Sequence, residues 1–167
     1  MVMSGTTRPH RNVAKVVHQH TEDSAILRNM RSGLVAAGHV RIKHLARLDE
    51  RICAHLDGLA VAGEGAWPFC DSALETPGIG QVFAAAVRPI EEKNTDRLNK
   101  LFALVESVPD ALPGLTSAFG WVSAQFLQGT IKDLLSSHSP LRQRVGIACC
   151  AMHRIDPGIT PPAGRAA

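Results

Sequence analysis

The chain has 167 residues, of which 45% are hydrophobic, 20% charged and 4% aromatic. These proportions are typical of a single folded domain and exclude an intrinsically disordered chain. The sequence contains no tyrosine, and so few aromatic residues disfavour an all-β sandwich or barrel. The formal net charge of +3 is weaker than the basic bias that is usual in a dedicated DNA-binding domain.

The N-terminal residues 1–20 are predicted to form a loose arm, in which the apolar run 13–17 is extended or partly helical. The first 15 residues lack the apolar stretch of a signal peptide, and no run approaches the length of a transmembrane helix. Four cysteines without a secretory signal are typical of a cytosolic protein with reduced thiols. We therefore predict a cytoplasmic protein with no membrane insertion.

The first helix is predicted to begin at Thr21, a residue suited to capping, with Glu22 and Asp23 in its first turn near the positive end of the helix dipole. Gly38 is a plausible stop. The spacing predicts one apolar face made of Ile26, Leu27, Met30 and Leu34.

The clearest helix is predicted over residues 40–61, because apolar and charged residues there separate onto opposite sides of a helix. Its apolar stripe consists of Ile42, Leu45, Leu48, Ile52, Leu56 and Leu59.

Shorter helical patterns separated by glycine, proline, serine or aspartate follow this helix. We expect Pro89 to kink or end one of them, and Ser139 with Pro140 to open the last. The sequence therefore predicts an all-α chain of about eight helices in antiparallel pairs, the scale of an α-solenoid repeat. The helical-repeat domain covers residues 21–155, and the proline- and glycine-containing tail 156–167 is predicted to be disordered. The patterns cover residues 64–74, 79–89, 95–108, 112–122, 123–135 and 139–152.

A candidate partner-binding ridge lies on the helix predicted over residues 40–61. Lys43, Arg47, Arg51 and His55 follow one another in steps of four, which places them along one side of a helix. Such a ridge could meet an acidic partner or phosphates. Nearby carboxylates dilute its charge and no aromatic residue interleaves for base stacking, so a mixed solvent-facing surface is the competing interpretation.

Two groups have spacings that could suit metal ligands. Cys149 and His153 are four residues apart on a predicted helix, beside Cys150, and His18 and His20 alternate as ligands on a strand would. A zinc site needs three or four ligands, and neither group supplies a third at a suitable spacing. Buried cysteines and polar histidines explain both patterns better, so we predict no metal and no cofactor.

Motifs of catalysis are also missing from the sequence. There is no Gly-x-Ser-x-Gly elbow, dinucleotide fingerprint or P-loop. The adjacent carboxylates Asp49–Glu50 and Glu91–Glu92 point in different directions on a helix, so they do not form an acid–base pair across a cleft. We predict that the protein is not an enzyme and has no catalytic residues.

Several segments together carry a family resemblance: 45–51 (LARLDER), 54–59 (AHLDGL) and 62–64 (AGE), with 20–22, 82–86, 120–122 and 153–158. Through them the chain resembles a bacterial family of HEAT-like helical-repeat proteins. Members have no assigned enzymatic activity, are often encoded in type VI secretion gene clusters, and usually continue with further helical repeats. The resemblance thus implies a shortened member of the family, with a frameshifted remnant or a piece that assembles with another chain as the alternatives, and it supplies no catalytic residues.

Together, these observations favour a non-enzymatic protein-binding adaptor or scaffold linked by resemblance to type VI secretion. Stacked helix pairs offer an extended surface for a partner protein. A nucleic-acid-binding helical-repeat protein that uses the ridge is the first alternative, and an enzyme assisted by metal at Cys149 and His153 is the second. Self-association through an uncovered C-terminal helix pair also stays open.

Overall fold

The computed structural model describes residues 10–156, with side chains from residue 13 onward. Within this range the secondary structure is helical and contains no strand, which confirms the all-α prediction. The predictions for residues 1–9 and 157–167 fall outside the described residues. The α-helices are α1 (His10–Val35), α2 (Ile42–Ala62), α3 (Trp67–Ala73), α4 (Ile79–Glu91), α5 (Thr95–Ser107), α6 (Leu112–Trp121), α7 (Thr130–Ser136) and α8 (Pro140–His153). Short 3-10 helices cover Gly63–Ala66, Pro109–Ala111 and Ala124–Leu127.

Helix α1 begins well before Thr21, so the predicted helix start is wrong and residues 10–20 belong to the helix rather than to a loose arm. Thr21 is buried in the middle of α1, where its hydroxyl donates to the carbonyl oxygen of Val17 at 3.1 Å. A threonine can cap a helix or donate a hydrogen bond to the preceding turn of the same helix. Thr21 donates to the preceding turn and is not a cap.

The buried face of α1 also differs from the predicted one. Ile26 and Met30 are 55% and 49% exposed, whereas Leu27 is buried beside the small residues Ser24 and Ala25. The face with small residues lets another helix approach closely, and burial follows that fit rather than side-chain hydrophobicity alone.

The later helices keep most of their predicted order with shifted ends. Ser139 caps α8, accepting from the backbone N–H of Arg142, and Pro140 is its first residue, as predicted. The cap of α5 is Asn94, whose side chain accepts from the N–H of Arg97 at 3.1 Å. The single helix predicted over 123–135 is interrupted before α7 at Gly129, whose φ is 84°.

Four of the α-helices pack side by side in the order α1, α4, α6 and α8. Helix α4 packs between α1 and α6, and α6 also packs against α8. Helix α2 packs on α1, and α7 packs on α8. The fully buried side chains at the centre include Ile52, Phe83, Ile90, Leu115 and Phe119. None of the helices within residues 10–156 is both long and apolar enough to cross a membrane.

Candidate functional site

Helix α2 is held in place by one apolar face. Leu48, Ile52 and Leu59 are buried, as the predicted stripe requires. Ile42, by contrast, is 85% exposed in the first turn, so the buried stripe does not extend to the start of the helix. Because the buried residues occupy one side of α2, the opposite side faces outward and carries the candidate ridge.

The basic part of the ridge is accessible. Lys43, Arg47 and Arg51 are exposed, and within the described part of the chain no carboxylate forms an ion pair with any of them. The nearby carboxylate of Asp49 is engaged by Arg31 of α1, with Nε and Oδ1 2.5 Å apart and Nη2 and Oδ2 3.1 Å apart. Asp49 is therefore committed to the α1–α2 contact rather than to the ridge.

His55, the fourth predicted member of the ridge, lies between α1 and α2 instead of alongside the three cations. Its Nδ1 lies 3.0 Å from Nδ1 of His20, and the two rings meet edge to face with centroids 5.2 Å apart. A hydrogen bond between two imidazoles requires one ring to donate and the other to accept, so at least one of them is neutral in this contact. These histidines are 35 positions apart, and no local spacing could indicate their contact.

The electrostatic surroundings of His55 make its protonation unfavourable. Burial lowers its pKa; Asp23, whose Oδ2 lies 3.8 Å from Nε2, opposes the decrease, and the charges of His20 and Arg51 reinforce it. The net effect is a pKa below the usual value for histidine. His55 therefore contributes to the packing of α1 on α2 mainly as a neutral ring.

The group around Cys149 and His153 lies at the junction of α6 and α8. Cys149 and Cys150 are both buried, and burial raises the pKa of the Cys149 thiol to about 11, with a further contribution from Cys150. His153 Nε2 lies 2.8 Å from the carbonyl oxygen of Phe119, so this nitrogen donates a hydrogen bond to the backbone. The thiol stays protonated at neutral pH and the imidazole nitrogen is already in use, an arrangement suited to packing.

His18 and His20 do not face a common site. His18 contacts the ring of Phe69, with centroids 5.8 Å apart, and its Nδ1 lies 3.5 Å from Oε2 of Glu22. His20 instead contacts His55. Residues two apart on a helix point to nearly opposite sides, and the strand-like alternation considered above is therefore wrong. Across residues 10–156 no group of three or more histidine, cysteine or acidic side chains could hold a metal ion.

An apolar groove lies at the C-terminal end of the helical array. It has a volume of about 560 Å³ and lies between α7 and the end of α8. Leu127, Ile131, Leu135, Cys150 and Ile155 supply its apolar walls. This groove coincides with the helix pair for which the sequence analysis left self-association open.

Comparison with known proteins yields no relative from which a function could be transferred. No protein-family model matches the chain, and neither a curated protein nor a solved structure matches it. The HEAT-like resemblance and the link to type VI secretion therefore stay predictions.

Proposed function

We propose that the protein is a non-enzymatic, cytoplasmic adaptor or scaffold that binds an acidic surface of a partner protein through α2. The binding surface consists of Lys43, Arg47 and Arg51, and we call these three residues the basic ridge. The proposal includes HEAT-like stacking of antiparallel helix pairs and, by resemblance alone, a role linked to type VI secretion.

The observation that carries the proposal is the lack of intramolecular compensation on the basic ridge. Three cations stand on one side of a helix whose other side is fixed by the core, and none of them forms an ion pair with a carboxylate of the described residues. A rigid helix presents its charges without a large ordering cost, and complementary charge increases the rate and the specificity of association.

The helix neighbours support a repeat-like arrangement. Helices α1, α4, α6 and α8 pack in succession, while α2 and α7 pack on the two ends of that succession. In the proposed repeat, stacked helix pairs would bury a continuous core and leave long outer faces for a partner. The exposed side of α2 is one such face.

A nucleic acid is the alternative ligand for the same three cations, because phosphates and carboxylates both attract them. No Phe, Trp or Tyr lies between Lys43 and Arg51 in the sequence, and this favours a protein partner because single-stranded binders stack bases on aromatic rings. The two ligands are separable by nuclease treatment and by salt dependence.

The experiment compares the natural chain with the triple variant Lys43→Gln/Arg47→Gln/Arg51→Gln. The control, Lys15→Gln/Lys100→Gln/Arg144→Gln, removes the same formal charge from exposed positions on α1, α5 and α8. Each tagged protein is used to capture partners from a lysate of its native cells, with and without nuclease, followed by quantitative mass spectrometry. We expect one partner to be retained in near-stoichiometric amount by the natural chain and the control, and lost from the ridge variant.

Two results would overturn the proposal. Equal capture by the ridge variant and the control would mean that the basic ridge is not the binding surface. Loss of the partner on nuclease treatment would favour the nucleic-acid alternative, and direct binding to a DNA duplex would then show a salt slope that falls by about 0.9 for each lost phosphate contact.

A further inference from the structure

Arg28 occupies the junction where α1 meets α4 and α6. Its Nε donates to the hydroxyl of Ser117 on α6 at 3.1 Å, and its Nη1 donates to the hydroxyl of Ser32 on α1. The guanidinium carbon lies 5.6 Å from the ring centroid of Phe83 on α4. These contacts fix the orientation of a half-buried guanidinium between three helices.

The positive charge of Arg28 has no carboxylate partner within the described residues. The two side chains that accept hydrogen bonds from Arg28 are the neutral hydroxyls of Ser117 and Ser32. Each hydroxyl donates its own hydrogen to a backbone carbonyl oxygen, Ser117 to that of Gly114 at 2.9 Å and Ser32 to that of Arg28 at 3.4 Å. Burial lowers the pKa of Arg28, and the charge of Arg31 lowers it further.

Three other half-buried arginines are compensated by carboxylates, whereas Arg142 bonds to Asn99 and, like Arg28, forms no ion pair with a carboxylate among the described residues. Arg31, Arg88 and Arg97 pair with Asp49, Glu92 and Asp71, at 2.5, 2.6 and 2.9 Å. A partly desolvated cation without a counter-ion is unfavourable unless another group supplies the opposite charge. In Arg28, the Nε and Nη1 nitrogens of the planar fork are bound to neutral hydroxyls, and neither hydroxyl supplies that opposite charge.

We propose that Arg28 is the centre of an oxyanion site that accepts one phosphate or carboxylate group at the α1–α4–α6 junction. The guanidinium fork matches both groups in shape and charge. Ser32 and Ser117 hold the fork in position, while the charge of Arg31, one turn further along α1, is paired with Asp49. This site is separate from the basic ridge and does not depend on the proposed function.

The two tryptophans provide the measurement. The guanidinium carbon of Arg31 lies 6.0 Å from the ring centroid of Trp121, whereas Trp67 packs against Arg88 and Arg97, which already have carboxylate partners. In ¹H–¹⁵N spectra of the full chain, the two indole N–H resonances are followed during titration with sodium phosphate, and separately with sodium acetate, at constant ionic strength. The variant Trp67→Phe assigns the resonances.

We expect a saturable shift of the Trp121 resonance and a much smaller change at Trp67. Saturation by phosphate alone would identify a phosphate site; saturation by acetate at similar concentration would identify a carboxylate site, as an acidic side chain of a partner would provide. Non-saturating shifts of both resonances in both titrations would overturn the proposal.

Variants test the assignment to Arg28. Arg28→Gln should weaken anion binding at least tenfold, about 1.4 kcal/mol, and Arg28→Lys should weaken it by less because the charge is kept while the fork is lost. The control Arg142→Gln removes another half-buried guanidinium, one that bonds to Asn99 and packs on Phe102, and should leave the titration unchanged. Unaltered saturation in both Arg28 variants, each with a native helical circular dichroism spectrum, would contradict the proposal.

Discussion

Gly80 of α4 lies directly against the backbone of Ala25 in α1: a Cβ atom at Gly80 would stand 2.2 Å from the carbonyl oxygen of Ala25. The next contact in the succession is similar, because a Cβ at Gly114 of α6 would stand 2.2 Å from the carbonyl oxygen of Ile79 in α4. Backbone atoms cannot yield as a flexible side chain can. The close approach of α1, α4 and α6 therefore depends on hydrogen at these two positions.

Gly80→Ala should destabilise the protein by about 1 to 3 kcal/mol, because the added methyl group forces α4 away from α1. Urea unfolding measures the change. Gly33→Ala is the matched control, since Gly33 is in α1 and nothing lies within 4 Å of its Cβ position; it should be neutral or stabilising by up to about 1 kcal/mol. Equal stability of the Gly80 variant and the natural chain would show that the two helices are further apart than described.

The two isoleucines of α2 should differ sharply when shortened. Ile52 is fully buried, so Ile52→Ala should cost about 2 to 5 kcal/mol through lost apolar burial and a residual cavity. Ile42 is 85% exposed, and Ile42→Ala should change stability by no more than about 0.5 kcal/mol. Chemical denaturation of both variants checks the orientation of α2, and similar costs at the two positions would mean that the basic ridge is misplaced.

Stability should decrease as the pH falls below the usual pKa of histidine, about 6.5. The pKa of His55 is lowered in the folded protein, so below this value the unfolded chain binds more protons than the folded one, and protonation favours unfolding. The contribution of neutral His55 to the free energy of unfolding is fully present above about pH 6.5 and is lost as the pH falls through the folded-state pKa of His55. One such group changes the unfolding free energy by at most about 1.4 kcal/mol per pH unit.

The pH measurement compares the natural chain with His55→Gln by urea unfolding between pH 7.5 and 5. The variant should show a shallower decrease, while His39→Gln, on the exposed connection between α1 and α2, should retain the natural slope. An identical slope in all three proteins would show that His55 is not the responsible group.

One of the four thiols should react quickly with a disulfide reagent such as Ellman's reagent. Cys53 is exposed, whereas Cys70, Cys149 and Cys150 are buried. Partial burial, Asp57 and Asp49 raise the pKa of Cys53 as well, and burial raises the pKa of both Cys70 and Cys149 to about 11, so accessibility is what favours Cys53. The thiolate is the reacting form, so buried thiols with a raised pKa react slowly. Cys53→Ser should remove the fast phase and leave the slow phases, and several fast thiols in the native protein would contradict the described burial of α3 and α8.

Local patterns were sufficient to predict the helical class and several particular features. The three- and four-residue spacing of Leu48, Ile52 and Leu59 predicted the buried face of α2. Ser139 and Pro140 predicted the start of α8. Each of these features depends on residues within one or two helical turns, where backbone geometry fixes which side chains share a face.

Local reasoning failed where a side chain had two compatible roles. Thr21 could cap a helix or lie within it, and Ile26 could face the core or solvent. The choice depended on α4, whose Gly80 allows α1 to approach through its small residues. Packing against a distant element, rather than propensity, made the decision.

The sequence by itself determined that this chain forms amphipathic helices and that a row of cations shares one side of α2, because helical periodicity is a property of neighbouring residues. Only the tertiary structure decided that His55 turns to His20 and that Arg28 reaches Ser117, which is 89 positions away. Contacts between helices depend on how whole faces fit together, and the free energy of that fit is distributed over the entire core. The two candidate sites differ in the same way. The basic ridge was predictable from the spacing of its residues in the sequence, whereas the Arg28 site is formed only when the chain folds.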